Sequence, residues 1–300
     1  MRARAVASLA ALTLAACTSQ TRDSAGVAHA TAPAVPAQTL SSALPEPVAL
    51  LDGGNGAPED GTTGLPPGTT PPTPPPVVRT IPWGTGRSSF VVLPRPSDHP
   101  ARLLAMLHGV CVPPSYVCGG WAATASDVGI LVCPTGNTTC GADGAGGPTW
   151  EEPFADMDRD LEQAIASTVR RVSPKVTRTG AVLAGFSRGA YVAVILAVRH
   201  PGRWPFLILN EADVELTVPM LHAANVRAVA LIAGEWSAQV AGERKTAEAL
   251  AHEGYPARLW VMPKVGHAYS PDIDTIMNEA VHYVLAYESR PVAEGADAGR

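Results

Sequence analysis

The chain has 300 residues, 46% hydrophobic and 16% charged, and a formal net charge of −5. It is mildly acidic, with no basic cluster and no interleaving of basic with aromatic residues, so it offers no footprint for a polyanion and nucleic acid is excluded as a partner. Its 29 prolines, 28 glycines and five cysteines are unevenly spread, and that unevenness divides the chain into regions.

Residues 1–17 read as an export signal. Arg2 and Arg4 precede an apolar stretch, Ala5 to Ala16, which is too short to cross a bilayer as a mature helix. Leu14-Ala15-Ala16-Cys17 resembles the bacterial lipobox, and the resemblance implies cleavage before Cys17 and acylation of that residue. Each buried methylene contributes about 0.8 kcal/mol, so several acyl chains would anchor the protein at a membrane. Thr18, not aspartate, follows the cysteine, which by the sorting rule of such lipoproteins implies the outer membrane. The expected location is the cell envelope, facing the periplasm or the cell surface.

With Cys17 assigned to lipid, Cys111, Cys118, Cys133 and Cys140 remain. Export implies an oxidising compartment, where cysteines pair. Of the three connectivities open to four cysteines, Cys111 with Cys118 and Cys133 with Cys140 close the shortest loops and are the expected bridges. Each would contribute about 2–3 kcal/mol by loop entropy. Zinc is disfavoured, because neither pair has C-x-x-C spacing and no histidine pair stands nearby.

Residues 18–79 are dominated by Ala, Pro, Thr, Ser and Gly and culminate in Pro71-Pro72-Thr73-Pro74-Pro75-Pro76. Such a stretch buries too little apolar surface to offset its ordering entropy and reads as a tether. As a flexible coil it would hold a folded domain on the order of 40–50 Å from the membrane. Residues 80–290 have the length of one domain, and 291–300 read as an unstructured tail.

Within the domain, Val77 to Pro82 and Ser88 to Pro94 predict an opening hairpin about Gly84-Thr85-Gly86. Leu103 to Leu107 predicts a strand, Trp121 to Asp127 a short helix, and Ile130 to Cys133 another strand. Pro153 to Val172 carries Met157, Leu161, Ala164, Ile165, Thr168 and Val169 at helical spacing. Asp156, Asp158 and Asp160 in that helix do not form a metal site, because their spacing spreads them around its axis and Leu161 stands where a calcium loop needs glycine. Ala181 to Phe186, Phe206 to Asn210, Ala228 to Ala233 and Ala257 to Met262 predict strands. Helices are predicted at 190–200, 217–224, 241–253 and 271–287. Apolar strands alternating with helices imply a mostly parallel sheet covered on both faces, with ligands at the strands' carboxyl ends.

Gly185-Phe186-Ser187-Arg188-Gly189 joins such a strand to such a helix. That context turns a G-x-S-x-G sequence into a nucleophile elbow, a strained turn presenting Ser187 above the sheet. A serine hydroxyl is a weak nucleophile and needs a base, itself oriented by a third group. His267, in the loop after the last strand, is the expected base.

His108-Gly109 after one strand, the elbow at Ser187 after a later one, and Gly266-His267 after the last resemble the α/β-hydrolase superfamily over about residues 77–288. Small secreted carboxylesterases of the dienelactone-hydrolase and polyester-depolymerase kinds are the most similar. The resemblance implies an α/β-hydrolase fold and an oxyanion hole made by the N–H groups of Val110 and Arg188, with Gly109 letting the loop turn. It also implies a carboxylate within a Gly-Glu-x-Asp stretch, where this chain reads Gly234-Glu235-Trp236-Ser237. Ser237 cannot supply the charge. Glu235 is therefore the expected acid, with Asp213 and Glu211, after the preceding strand, as alternates.

Few residues separate Asn210 from the next predicted helix, which leaves no room there for a cap domain and predicts an open cleft. The expected activity is that of a serine carboxylesterase without cofactor or metal, acting on bulky or polymeric esters. The competing expectation is a non-catalytic tethered binding module that has lost its acid. A peptidase is disfavoured, because no additional recognition domain is visible. Nothing in the chain points to an oligomeric state.

Overall fold

The computed structural model describes residues 73–141, 146–172 and 175–289. The lipobox at Cys17, most of the expected tether and the tail from 291 lie outside the described residues.

The elements run β1 (Val78–Trp83), β2 (Arg87–Val92), β3 (Ala101–Leu107), α1 (Pro114–Gly119), α2 (Ala122–Val128) and β4 (Gly129–Pro134). A small hairpin follows, β5 (Thr138–Thr139) and β6 (Pro148–Thr149), and then the long helix α3 (Phe154–Val172). The second half runs β7 (Val176–Phe186), α4 (Arg188–Arg199), β8 (Phe206–Asn210) and α5 (Val218–Ala223). It closes with β9 (Ala228–Gly234), α6 (Val240–His252), β10 (Ala257–Met262) and α7 (Ile273–Leu285).

Eight strands form one sheet in the order β1-β2-β4-β3-β7-β8-β9-β10. The pairings from β4 through β10 are parallel, while the opening hairpin joins antiparallel at one edge. β4, β8 and β9 are buried along their whole length and read as apolar runs because both faces are covered. Along β3, Leu103, Ala105 and Leu107 enter the core shared with α3 to α6. Leu104 and Met106 enter the opposite core, shared with α1, α2 and α7. Each such leucine contributes about 1.5–3 kcal/mol by leaving water.

The three aspartates of α3 face different basic side chains. Asp156 pairs with Arg159, Asp158 with Arg203 and His200, and Asp160 with Arg87.

Helix α1 was not expected. Its sequence, Pro-Ser-Tyr-Val-Cys-Gly, looks like a loop, yet Pro114 occupies a first-turn position, where its missing N–H costs nothing. The helix buries Val117 and Cys118 and so changes the disulfide pattern. The expected local bridges are corrected: Cys111 pairs with Cys140 and Cys118 with Cys133, with Cα separations of 5.6 and 6.6 Å. β3 and β4 are neighbours in the sheet, so the segments leaving their carboxyl ends lie side by side and bridge to each other. Proximity along the chain was the wrong guide, because α1 and the β5–β6 hairpin occupy the short loops.

Candidate active site

The turn from β7 into α4 places Ser187 at φ 54°, ψ −124°, backbone that a non-glycine residue adopts at a cost of about 1–3 kcal/mol. Its N–H donates to the Asn210 carbonyl at 2.8 Å, and its carbonyl accepts from the Ala190 N–H at 2.9 Å. The flanking glycines are required by close approach. A Cβ on Gly185 would stand 2.4 Å from the Gly189 oxygen, and one on Gly189 would stand 2.1 Å from the Leu107 oxygen. Helix and strands therefore meet only if both positions lack side chains.

After β3, His108 is fully buried and braces the loop that carries Gly109 and Val110. Its Nδ1 lies 2.8 Å from the Gly109 carbonyl oxygen, and its Nε2 accepts from the Gly136 N–H at 2.8 Å. That pair of bonds requires the neutral tautomer with the proton on Nδ1. Burial enforces the same state, lowering the imidazole pKa from 6.5 to about 4. Trp150 donates its indole N–H to the His108 carbonyl at 2.9 Å. The Cys111–Cys140 bridge fixes the residue after Val110, so the expected oxyanion loop is tied down at both ends.

His267 follows β10, and its Nδ1 lies 3.2 Å from Glu211 Oε2. Glu211 is buried. Its Oε1 accepts from the Gly234 N–H at 2.5 Å, and its Oε2 accepts from the Ser237 hydroxyl at 2.5 Å. Glu235, the first choice from the sequence, is not brought to His267. Its carboxylate is exposed and accepts from the Lys264 N–H. Asp213 is exposed and accepts from the Tyr191 hydroxyl. Glu211, one of the two alternates, occupies the place. β8 and β9 are adjacent parallel strands, so a carboxylate leaving either strand end can reach the same histidine. The signal that could have found it is Ser237, a hydroxyl donor standing where the acid was expected.

Ser187 and His267 line one open cleft of about 340 Å³, with Val110, Val112, Pro113, Tyr116 and Phe186 as its apolar walls. Among the described residues no hydrogen bond joins Ser187 to His267, and such contacts commonly tighten only when substrate binds. Phe186 packs against the His267 ring with centroids 5.3 Å apart. Tyr116 stacks on Tyr269, and its hydroxyl oxygen accepts from the Tyr269 N–H at 2.9 Å. Trp236, 67% exposed, lies beside the loop of His267, where its N–H donates to the Val265 carbonyl. A larger hollow of about 530 Å³ opens where β3 and β4 begin, around Ala101 and Gly129, at the opposite end of the sheet from Ser187.

A parallel sheet with Ser187, Glu211 and His267 at the carboxyl ends of β7, β8 and β10 decides the architecture. The fold is that of the α/β-hydrolases. Only Glu211 to Thr217 separate β8 from α5, so no cap domain is inserted there. Among solved structures, an S-formylglutathione hydrolase from Staphylococcus aureus matches 71% of this chain and 100% of its own, at 12% identity and TM-score 0.50. A fluorophosphonate-binding serine hydrolase from the same organism matches 71% of this chain and 99% of its own, at 14% identity and TM-score 0.51. A lipase in an open form matches 71% of this chain and 100% of its own, at 12% identity and TM-score 0.51. No protein-family model matches the sequence, and no curated relative does.

Proposed function

We propose that the protein is a serine esterase in which Ser187, His267 and Glu211 form the catalytic triad. The observation that carries this reading is the buried Glu211 carboxylate on His267 Nδ1, in a cleft shared with a serine held at positive φ. With Nδ1 engaged, His267 Nε2 is the nitrogen left to act on Ser187. Ser187 Oγ attacks the ester carbonyl carbon while His267 takes the hydroxyl proton. The N–H groups of Val110 and Arg188 receive the developing oxyanion, being fixed before the reaction begins. Collapse expels the alcohol, which takes the proton from His267, and leaves an acyl group on Ser187. Water then repeats the sequence, freeing the acid. Nucleophile, base, acid and oxyanion donors all come from this chain, so the reaction needs no cofactor.

Among the described residues the cleft walls carry no carboxylate, lysine or arginine, which favours esters with an uncharged, apolar acyl group. Its openness to solvent favours bulky or polymeric esters. The binding-module alternative rested on a missing acid, and Glu211 removes that argument.

The esterase reading is tested by fluorophosphonate labelling. The wild-type protein should label and turn over p-nitrophenyl esters, and Ser187→Ala should do neither; an unlabelled wild type rejects it.

The same reading has the enzyme held in the cell envelope, at the outer membrane, through acylated Cys17. Among the described residues no helix is long and apolar enough to cross a membrane. Cys17→Ser should release the protein from membranes, and palmitate incorporation that survives the substitution would refute the anchor.

A further inference from the structure

The loop carrying Glu211 is conformationally costly and has an unusual support. Glu211 sits at φ 57°, in the left-handed region that a glutamate seldom occupies. The next residue, Ala212, donates its N–H at 2.6 Å to Oε1 of Glu243, a fully buried side chain in the first turn of α6. The Thr246 hydroxyl, one turn further along α6, donates to the Val214 carbonyl at 3.1 Å.

Among the described residues no cation pairs with Glu243. Its Oε2 is buried without a hydrogen-bond partner among the described residues. The groups facing it are Glu211 and Asp213 from the loop after β8, the backbone of Ile232 in β9, and the Tyr191 hydroxyl of α4. Arg244 and Lys245, its neighbours on α6, are exposed. A carboxyl taken out of water beside two other carboxylates favours its neutral form. The positive end of α6 opposes this, but it is the weaker influence on a fully buried group.

We propose that Glu243 is a positioning residue, a carboxylic acid kept protonated beneath the acid loop so that it holds the Ala212 N–H without setting another negative charge beside Glu211. The proposal rests on the triad reading given above. Burial pushes the Glu243 pKa up from 4.5 to about 9, with the charges of Glu211 and Asp213 acting in the same direction. Loss of its proton puts like charges together in one pocket and loosens the loop, so the wild-type kcat should decline near pH 9.

The test uses the full chain, p-nitrophenyl butyrate and infrared difference spectroscopy. The wild-type minus Glu243→Gln spectrum at pH 7 should contain a protonated-carboxyl stretch that titrates away near pH 9. Glu243→Gln keeps a neutral acceptor and should hold kcat within about threefold at pH 7, while removing the alkaline decline. Glu243→Leu leaves the Ala212 N–H unsatisfied and should lower kcat about tenfold or more with little change in KM. A support for folding alone would move the melting temperature and leave the pH profile as it was. If Glu243→Leu does not fold, the infrared band and the Glu243→Gln profile decide. Absence of the band, equal losses in both variants, or wild-type kcat in Glu243→Leu each overturn the proposal. Glu211→Gln is measured in parallel. If it keeps full kcat the triad reading fails and the positioning role with it, though the band persists; if it loses activity while Glu243→Leu does not, only the positioning role fails.

Discussion

Ser237 donates its hydroxyl to Glu211 Oε2 at 2.5 Å, so the position expected to carry the acid instead holds the carboxylate that meets His267. Glu211 reaches His267 from one strand earlier. Removing that donor with Ser237→Ala should lower kcat about tenfold with KM nearly unchanged, since a hydrogen bond to a charged group is worth about 1.5–3 kcal/mol. Ser237→Asp would place a second carboxylate against Glu211 and should lower activity further. A rate increase in Ser237→Asp, read in steady-state esterase assays, would show that the site lacks an acid after all.

The two glutamates make a sharper comparison. Glu211→Gln keeps the shape and the bonds from Gly234 and Ser237 but removes the charge that stabilises protonated His267. A loss in kcat of up to about 10⁴ is expected, because a misoriented or unsupported histidine costs about that much in a triad. Glu235→Gln should stay within about threefold of wild type, as an exposed substitution away from the reacting groups. The measurement is kcat/KM for both variants on one ester; the reverse ranking would return the acid role to Glu235.

The disulfides separate stability from chemistry. Cys111–Cys140 closes a separation of 29 residues and Cys118–Cys133 one of 15, and loop entropy assigns each about 3 kcal/mol. Cys118→Ser with Cys133→Ser should lower the melting temperature and leave kcat largely intact. Cys111→Ser with Cys140→Ser should lower both, because Cys111 adjoins Val110 in the proposed oxyanion loop. Non-reducing peptide mapping should recover these two linkages, and recovery of Cys111 with Cys118 would contradict the fold around α1.

Much of this arrangement was legible in the chain because backbone requirements leave residue signatures. The glycines at 185 and 189 announced the elbow, since no other residue fits where Leu107 and Ala190 approach. The apolar runs announced strands buried on both faces. What escaped was set by strand order, and its one trace in the sequence was the hydroxyl of Ser237 standing where a carboxylate was expected. Glu211 and Glu235 are both glutamates just past a strand end, and only the lateral adjacency of β8 and β9 decides which one meets His267. The disulfide partners were likewise set by the adjacency of β3 and β4, a property of strand order and not of spacing. Helix α1 was hidden by its prolines, which suit a first turn as well as a loop.

His108 gives a pH dependence whose sign is fixed by its bonds. Its Nε2 must accept from the Gly136 N–H, and protonation would turn that acceptor into a donor facing another donor. The folded pKa, about 4, lies below the ordinary 6.5 because burial disfavours the charged ring. A folded pKa below the unfolded one means that the stabilisation is fully present above about pH 6.5 and is lost as pH falls through about 4. Its size is at most about 3 kcal/mol, from the difference between the two values. His108→Gln removes the titration at the expense of a lower melting temperature at neutral pH, where it disturbs both ring hydrogen bonds. Melting temperatures recorded from pH 7.5 down to 4 should therefore fall more steeply in the wild type than in His108→Gln. Parallel curves would mean that the ring is not held neutral, and with that the brace on the loop of Gly109 and Val110 would lose its physical basis.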